Sequence, residues 1–139
     1  EVLAKLGSEH VWVVHGSDGL DEITTTGVTY VVALKDGEIS EFEVNPEDVG
    51  LTRASLDDLK GGQAEENAAA IRALFAGEKS AFRDIVLMNT AAVLVVSGVV
   101  DSFAAGVDKA AETIDSGAAL KTLNAWVAFT NSRREADNG

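Results

Sequence analysis

The 139-residue sequence contains no cysteine, which removes disulfides, thiolate chemistry and cysteine-ligated zinc from consideration. A chain without cysteine fits a reducing compartment, and a cytoplasmic protein is the expectation. Basic side chains are scarce, 11 against 23 acidic ones, for a net charge of -12. That balance argues against a nucleic-acid partner or an anionic membrane surface. It leaves a phosphorylated substrate open, because a bound divalent cation inverts the local charge. Long apolar runs are also missing. The longest lies between Ile85 and Val100, is interrupted by Asn89 and Ser97, and is shorter than the ~20 residues of a membrane-spanning helix. A buried helix is expected there, and no membrane association. No Gly-x-Ser-x-Gly elbow, Walker loop or His-Glu-x-x-His helix occurs, so those nucleophilic and metal-hydrolase devices are excluded. The Asp-x-Asp-x-Asp-Gly order of a calcium EF-hand is absent as well.

What is present suits one globular core: 46% hydrophobic and 24% charged residues. Val2, Leu3 and Leu6 recur at helical spacing before Gly7, as in the last turns of a helix. Val11-Trp12-Val13-Val14 is a continuous apolar run, the pattern of a central strand covered on both faces. Two extended runs, 28–34 and 38–44, flank Lys35-Asp36-Gly37, and Asp-Gly between such runs predicts a hairpin. In the second run Phe42 and Val44 alternate with Glu41 and Glu43, so one face meets water. Asn45-Pro46-Glu47-Asp48, with the only proline, starts a turn.

The second half is helical in pattern. Ala64, Ala68, Ile71 and Phe75 form a stripe that Gly77 ends. Residues 85–96 are apolar on nearly every side, as in a helix enclosed by others. Asp101 or Ser102 caps the next helix, whose stripe is Phe103, Val107, Ala110 and Ile114. Gly117 closes it, and Leu120, Leu123, Val127 and Thr130 with Trp126 mark a final helix. Residues 131–139 are polar, and a frayed tail is expected. Strands and a hairpin first, then a helical cluster, indicate part of an α/β domain.

The segment richest in chemistry is His15-Gly16-Ser17-Asp18-Gly19-Leu20-Asp21-Glu22-Ile23-Thr24-Thr25-Thr26-Gly27. A strand-like run ending in a glycine-rich acidic loop is a common way for an α/β protein to present polar groups at the end of its sheet. The adjacent carboxylates of Asp21 and Glu22 suit a hard divalent cation, which takes one or two carboxylates and leaves its other positions to water and phosphate. The same pattern also describes a solvated acidic turn. Asp18 fits a turn-former better than a ligand. His10 and His15, five apart, fall on opposite strand faces and do not make a two-histidine site; packing or hydrogen bonding is expected of His15. Thr24, Thr25 and Thr26 fit a strand better than a phosphate cradle. Gly61-Gly62 fits a loop ahead of a helix. Asn89, inside an apolar helix, must be hydrogen-bonded, and tying that helix to a neighbouring loop is its expected role.

Four separated blocks, residues 15–27, 51–69, 83–92 and 114–119, resemble in this order the anthranilate phosphoribosyltransferases. The resemblance implies part of the large α/β domain of the fold shared by those enzymes and the nucleoside phosphorylases. It implies transfer of the phosphoribosyl group from phosphoribosyl pyrophosphate to anthranilate, with release of pyrophosphate, in tryptophan biosynthesis. It also implies Mg²⁺ held by Asp21 and Glu22, and a homodimer formed through a helical domain. The family's Gly-Thr-Gly-Gly-Asp, Asn-x-Ser-Thr and Lys-His-Gly-Asn segments do not occur in this sequence. The expectation is therefore residues 1–130 as the C-terminal part of such an enzyme, inactive without a missing N-terminal half. Two other readings are a pyrimidine nucleoside phosphorylase, against which the contiguous Gly-Leu-Asp-Glu block argues, and a non-catalytic interaction module.

Overall fold

The computed structural model describes residues 1–137. A short helix α1 (Val2–Lys5) precedes strands β1 (His10–Gly16), β2 (Thr29–Lys35) and β3 (Glu38–Val44). Two 3₁₀ turns (Pro46–Val49 and Leu56–Leu59) lead to helices α2 (Ala64–Phe75), α3 (Ala81–Val96), α4 (Phe103–Asp115) and α5 (Ala118–Asp137). The order is that expected of the sequence, strands with a hairpin and then helices. No helix among the described residues is long and apolar enough to cross a membrane.

The β2–β3 hairpin turns at Asp36 and Gly37, with Lys35 opposite Glu38. Both turn residues have positive φ, 51° and 84°, the backbone that matches the right-handed twist of the flanking strands. The sheet order is β1-β2-β3, both pairs antiparallel. Among the described residues this departs from the reading of β1 as a central strand covered on both faces: β2 is the middle strand, β1 pairs with β2 alone, and Val13 is 54% exposed. Continuous valines report apolar surroundings without saying which strand lies next to them. On the sheet face that carries Val13, Val32 and Ile39, the short helix α1 covers only part of the surface.

The opposite face packs on the helices. Ile23, Val31, Val44 and Met88 form a buried cluster, with Trp12, Val14 and Phe103 against it. Trp12 meets the edge of Phe42 with ring centroids 5.1 Å apart, a favourable aromatic geometry. A second cluster joins Leu74, Leu87, Ala91, Val107, Ala110 and Ile114. Helix α3 serves both, Met88 toward the sheet and Leu87 and Ala91 toward the other helices. It is not enclosed on every side, however: Val93 is 65% exposed. The stripe expected on α2 also shifts, with Leu74 as its buried anchor and Ile71 outside. On α4 the expected stripe holds, and Ser102 caps the helix, its hydroxyl accepting from the Ala105 N–H at 3.2 Å. Helix α5 half-buries Leu120, Leu123 and Val127 and leaves Trp126 outside. Its backbone stays helical through 137, where fraying was expected from 131; residues 138 and 139 of that expected tail lie outside the described residues.

Two contacts fix α3 against α4. A Cβ on Gly106 would stand 2.8 Å from both Cα and Cβ of Ala91, so only glycine lets the helices approach this closely. In the first turn of α3, Arg83 is buried to 1% exposure and pairs with Asp115 at the end of α4. Its Nη2 donates to Asp115 Oδ2 at 3.0 Å, and Nη1 lies 2.8 Å from Oδ1 without hydrogen-bond alignment. Hydrogen bonds from Arg83, and then from Lys79, hold the Asp115 carboxyl below the usual aspartate range.

Gly106→Ala should destabilise the chain by about 1–3 kcal/mol in urea unfolding, because overpacking against the Ala91 backbone outweighs the gain in helix propensity. The Arg83–Asp115 pair should respond asymmetrically. Asp115→Asn strands a buried guanidinium, whereas Arg83→Met leaves a half-exposed carboxylate that water can solvate. The first substitution is expected to cost more in the same assay. Because the Asp115 carboxyl is depressed, this contribution is present above the ordinary aspartate pKa and lost as pH falls through the lower folded-state value.

Candidate functional site

Between β1 and β2 the chain runs through an irregular loop, residues 17–28, that carries most of the acidic motif. Its conformation is set from both ends by backbone and side-chain bonds. The Ser17 N–H donates to Val28 O at 2.8 Å and closes the base. The Gly16 N–H donates to Leu20 O at 2.9 Å and the Gly19 N–H to Gly16 O at 2.9 Å, making a tight turn in which Gly19 has φ 94°. A Cβ on Gly27 would collide with the Ser17 hydroxyl, so the two limbs touch at a residue without a side chain.

Asp18 is the turn-former that its spacing suggests, and it does more. Its Oδ1 accepts the Leu20 N–H at 3.1 Å. Its Oδ2 accepts the Thr24 hydroxyl at 2.6 Å and the Thr26 hydroxyl as well. Burial pushes the Asp18 carboxyl up, but these hydrogen bonds together outweigh it and hold the group below its ordinary value. Asp18 therefore directs both carboxylate oxygens into the loop, as expected of a turn-former. The Asp18–Thr24–Thr26 network escaped the sequence reading; three polar residues at offsets of six and eight were its only signal.

The three threonines are not strand residues, which corrects that expectation. They lie in the loop, and Thr24 and Thr25 are fully buried. The Thr24 N–H donates to the Thr29 hydroxyl at 3.0 Å, and the Ala54 N–H donates to the Thr25 carbonyl at 2.9 Å. The Thr24 and Thr26 hydroxyls donate to Asp18, and the Thr25 hydroxyl is buried without a hydrogen-bond partner among the described residues. β-Branched residues also fill tight buried loops where their hydroxyls satisfy the backbone, and composition does not separate the two uses.

Asn89 performs the role expected of it, and the structure identifies the loop it holds. The Ile23 N–H donates to Asn89 Oδ1 at 3.0 Å, and Asn89 Nδ2 donates to Ile23 O at 2.8 Å and to Ile85 O in its own helix at 3.0 Å. The Ile23 side chain is buried with Val31, Val44 and Met88. Histidines 10 and 15 stand on opposite faces of β1, opposite Lys35 and Tyr30 of β2, and do not converge. Gly61-Gly62 is a loop ahead of α2; Asn67 Oδ1 accepts the Gly62 N–H at 2.8 Å.

Asp21 and Glu22 remain, both exposed, between the fixed residues Leu20 and Ile23. Among the described residues neither takes part in an ion pair or a backbone hydrogen bond. Glu22 lines a small apolar cleft with Leu20, Leu56, Leu59, Phe82 and Ile85. Loss of water there, then repulsion from Asp21 and Asp18, raises its carboxyl above the ordinary glutamate value. No three histidine, aspartate or glutamate side chains converge on one point among the described residues. Two hard oxygen donors whose mutual repulsion is uncompensated fit a magnesium ion, which keeps most of its shell for water and phosphate.

The chain matches the glycosyl transferase family, a/b domain, over residues 1–120. It is 59% identical to the anthranilate phosphoribosyltransferase of Parvibaculum lavamentivorans over 133 residues, 96% of this chain and 39% of that protein. The crystal structure of anthranilate phosphoribosyltransferase from Thermus thermophilus superposes with a TM-score of 0.81 at 41% identity, covering 91% of this chain and 37% of that one. The Saccharomyces cerevisiae enzyme, in a structure with PRPP and Mg, gives a TM-score of 0.80 at 28% identity over 88% and 36% of the respective chains. The chain thus spans about two fifths of the length of the curated relatives it matches.

Glu22→Gln should raise the melting temperature slightly at pH 7, because ionised Glu22 opposes folding. A carboxyl whose folded pKa is raised loses stability as pH climbs through that value. Substitution and parent should therefore converge as pH is lowered and the parent's Glu22 takes up its proton, a trend that melting curves between pH 4 and pH 7 measure.

Proposed function

Because the chain belongs to the glycosyl transferase family, a/b domain, we propose that it supplies the metal-binding α/β portion of an anthranilate phosphoribosyltransferase. The observation that carries this reading is the exposed Asp21–Glu22 pair, without a cationic partner among the described residues, on a loop immobilised on either side. The reaction is attack of the anthranilate amine on the anomeric carbon of phosphoribosyl pyrophosphate, with pyrophosphate leaving, in tryptophan biosynthesis.

Asp21 and Glu22 act as ligands in this proposal and not as acid or base. Both must be ionised; loss of water and the like charges of Asp21 and Asp18 oppose this at Glu22, and a bound cation favours it. Mg²⁺ held there supplies positive charge where negative charge builds on the departing pyrophosphate, a stabilisation strongest in the transition state. The protein's contribution is to hold two carboxylates in place before the substrate arrives, so that their ordering does not oppose binding. The two carboxylates do not hold a whole donor molecule or the acceptor. The phosphate cradle and the anthranilate pocket belong, in this proposal, to sequence found in the relatives and not in these 139 residues. A homodimer and a cytoplasmic location go with the same reading, and support for them comes from the family resemblance.

The test is a chimera in which this chain replaces the matching 39% of the Parvibaculum enzyme. Loss of anthranilate fluorescence in the presence of phosphoribosyl pyrophosphate and Mg²⁺ is the expected outcome. Asp21→Ala in the chimera should lower kcat/KM by at least about 100-fold, the scale of losing a preorganised charge at the reacting centre. A folded chimera that turns over equally well with and without Asp21 would refute the assignment. The 139-residue chain alone is expected to show no turnover.

A further inference from the structure

The acidic pair owes its position to a residue on another element. We propose that Asn89, on α3, is a positioning residue for the divalent-cation site of Asp21 and Glu22; the inference rests on the metal reading of those two carboxylates. Asn89 lies 66 positions from Ile23 in sequence and grips both polar groups of that one residue, its N–H at 3.0 Å and its carbonyl at 2.8 Å. One bond would fix a distance. Two bonds in opposite sense fix the orientation of the backbone as well, and Ile23 is the residue immediately after Glu22.

The remaining geometry makes this grip decisive. On the near side, Leu20 is held by Asp18 Oδ1 and by the Gly16 N–H. On the far side Thr24 is held by Thr29 Oγ1, and its hydroxyl by Asp18. Asp21 and Glu22 are the two residues between, and neither makes a backbone hydrogen bond among the described residues. Their placement is inherited from Leu20 and Ile23. The Leu20 anchors come from residues 16–18, at the end of β1 and the start of the loop. Among the described residues Asn89 makes the hydrogen bonds that tie the loop's crest to α3, beside the packing of Ile23 on Met88, and its third bond, to Ile85 O, restrains its own rotamer. A side chain that orients metal ligands from behind typically contributes 10–100-fold in metal affinity.

A merely structural Asn89 would change stability and leave metal affinity alone, so the two readings separate. The probe is Mn²⁺ added to the 139-residue chain, followed by paramagnetic broadening of backbone amide signals. In the parent, the amides of Asp21 and Glu22 should broaden first and give a Kd. Asn89→Ala and Asn89→Leu, the second chosen to retain side-chain volume within the apolar helix, should each weaken that Kd by about 10-fold or more. Leu74→Ala serves as the destabilised control, since Leu74 belongs to the helical cluster and not to the one that buries Ile23; its Kd should stay within about twofold of the parent.

Folded Asn89 variants with an unchanged Kd would overturn the positioning role and leave the metal site standing. An equal weakening in Leu74→Ala would overturn it too, by showing that affinity follows global stability. Absence of selective broadening at Asp21 and Glu22 in the parent would overturn the metal reading and this inference together.

Discussion

One half-buried amide, that of Asn89, organises the loop that carries Asp21 and Glu22. Helix α3 is apolar for most of its length because it lies between the sheet cluster and the helical cluster. Asn89 is placed in that run, and a partly buried amide without partners would cost about 1–3 kcal/mol for each unmet group. Its donors and acceptor are met by Ile23 and Ile85. The hydrogen bonds thus solve two difficulties at once: a polar side chain in an apolar helix, and an irregular backbone segment with no strand neighbour. The exposed carboxylates stand beside the point where these two requirements meet.

The rest of the fold supports that junction. The close approach of α3 and α4 at Ala91 and Gly106, with the Arg83–Asp115 pair nearer the start of α3, fixes the helix from which Asn89 extends. The sheet fixes the other partner, since Ile23 packs with Val31 and Val44. Asp18, Thr24 and Thr26 then satisfy the loop internally without drawing on Asp21 or Glu22. The division of labour among the acidic residues follows from environment. Asp18 gathers donors and is stabilised as an anion, whereas Glu22 faces apolar side chains and two like charges, which raise its carboxyl.

Elements whose signals are local could be read from the sequence. The Asp36-Gly37 hairpin, the Ser102 cap and the apolar stripe of α4 each depend on residues a few positions apart. The placement of Asp21 and Glu22 on an exposed loop after β1 was legible too, because adjacency and a glycine-rich segment are local facts. What failed depended on distant neighbours. Val11 to Val14 cannot state whether one strand or two lie beside them, so the pairing of β1 with β2 alone among the described residues was missed. Thr24 to Thr26 could not announce that Asp18 would take their hydroxyls. Nothing local marks Arg83 for burial, because the carboxylate that pairs with it comes from another helix. The tie from Asn89 to a loop followed from the need to satisfy a buried amide, but which loop was beyond a one-dimensional reading.

The Ile23–Asn89 contact also determines which parts of the chain open together. Irregular loops normally belong to the least stable level of a protein, opening many times for each global unfolding event. To release residues 21–23, however, the chain must withdraw an isoleucine that is 1% exposed and break both bonds to α3. The crest of this loop therefore shares the cooperative unit of the core helix, and its opening rate is set by the sheet–helix interface and not by the loop's own irregular backbone.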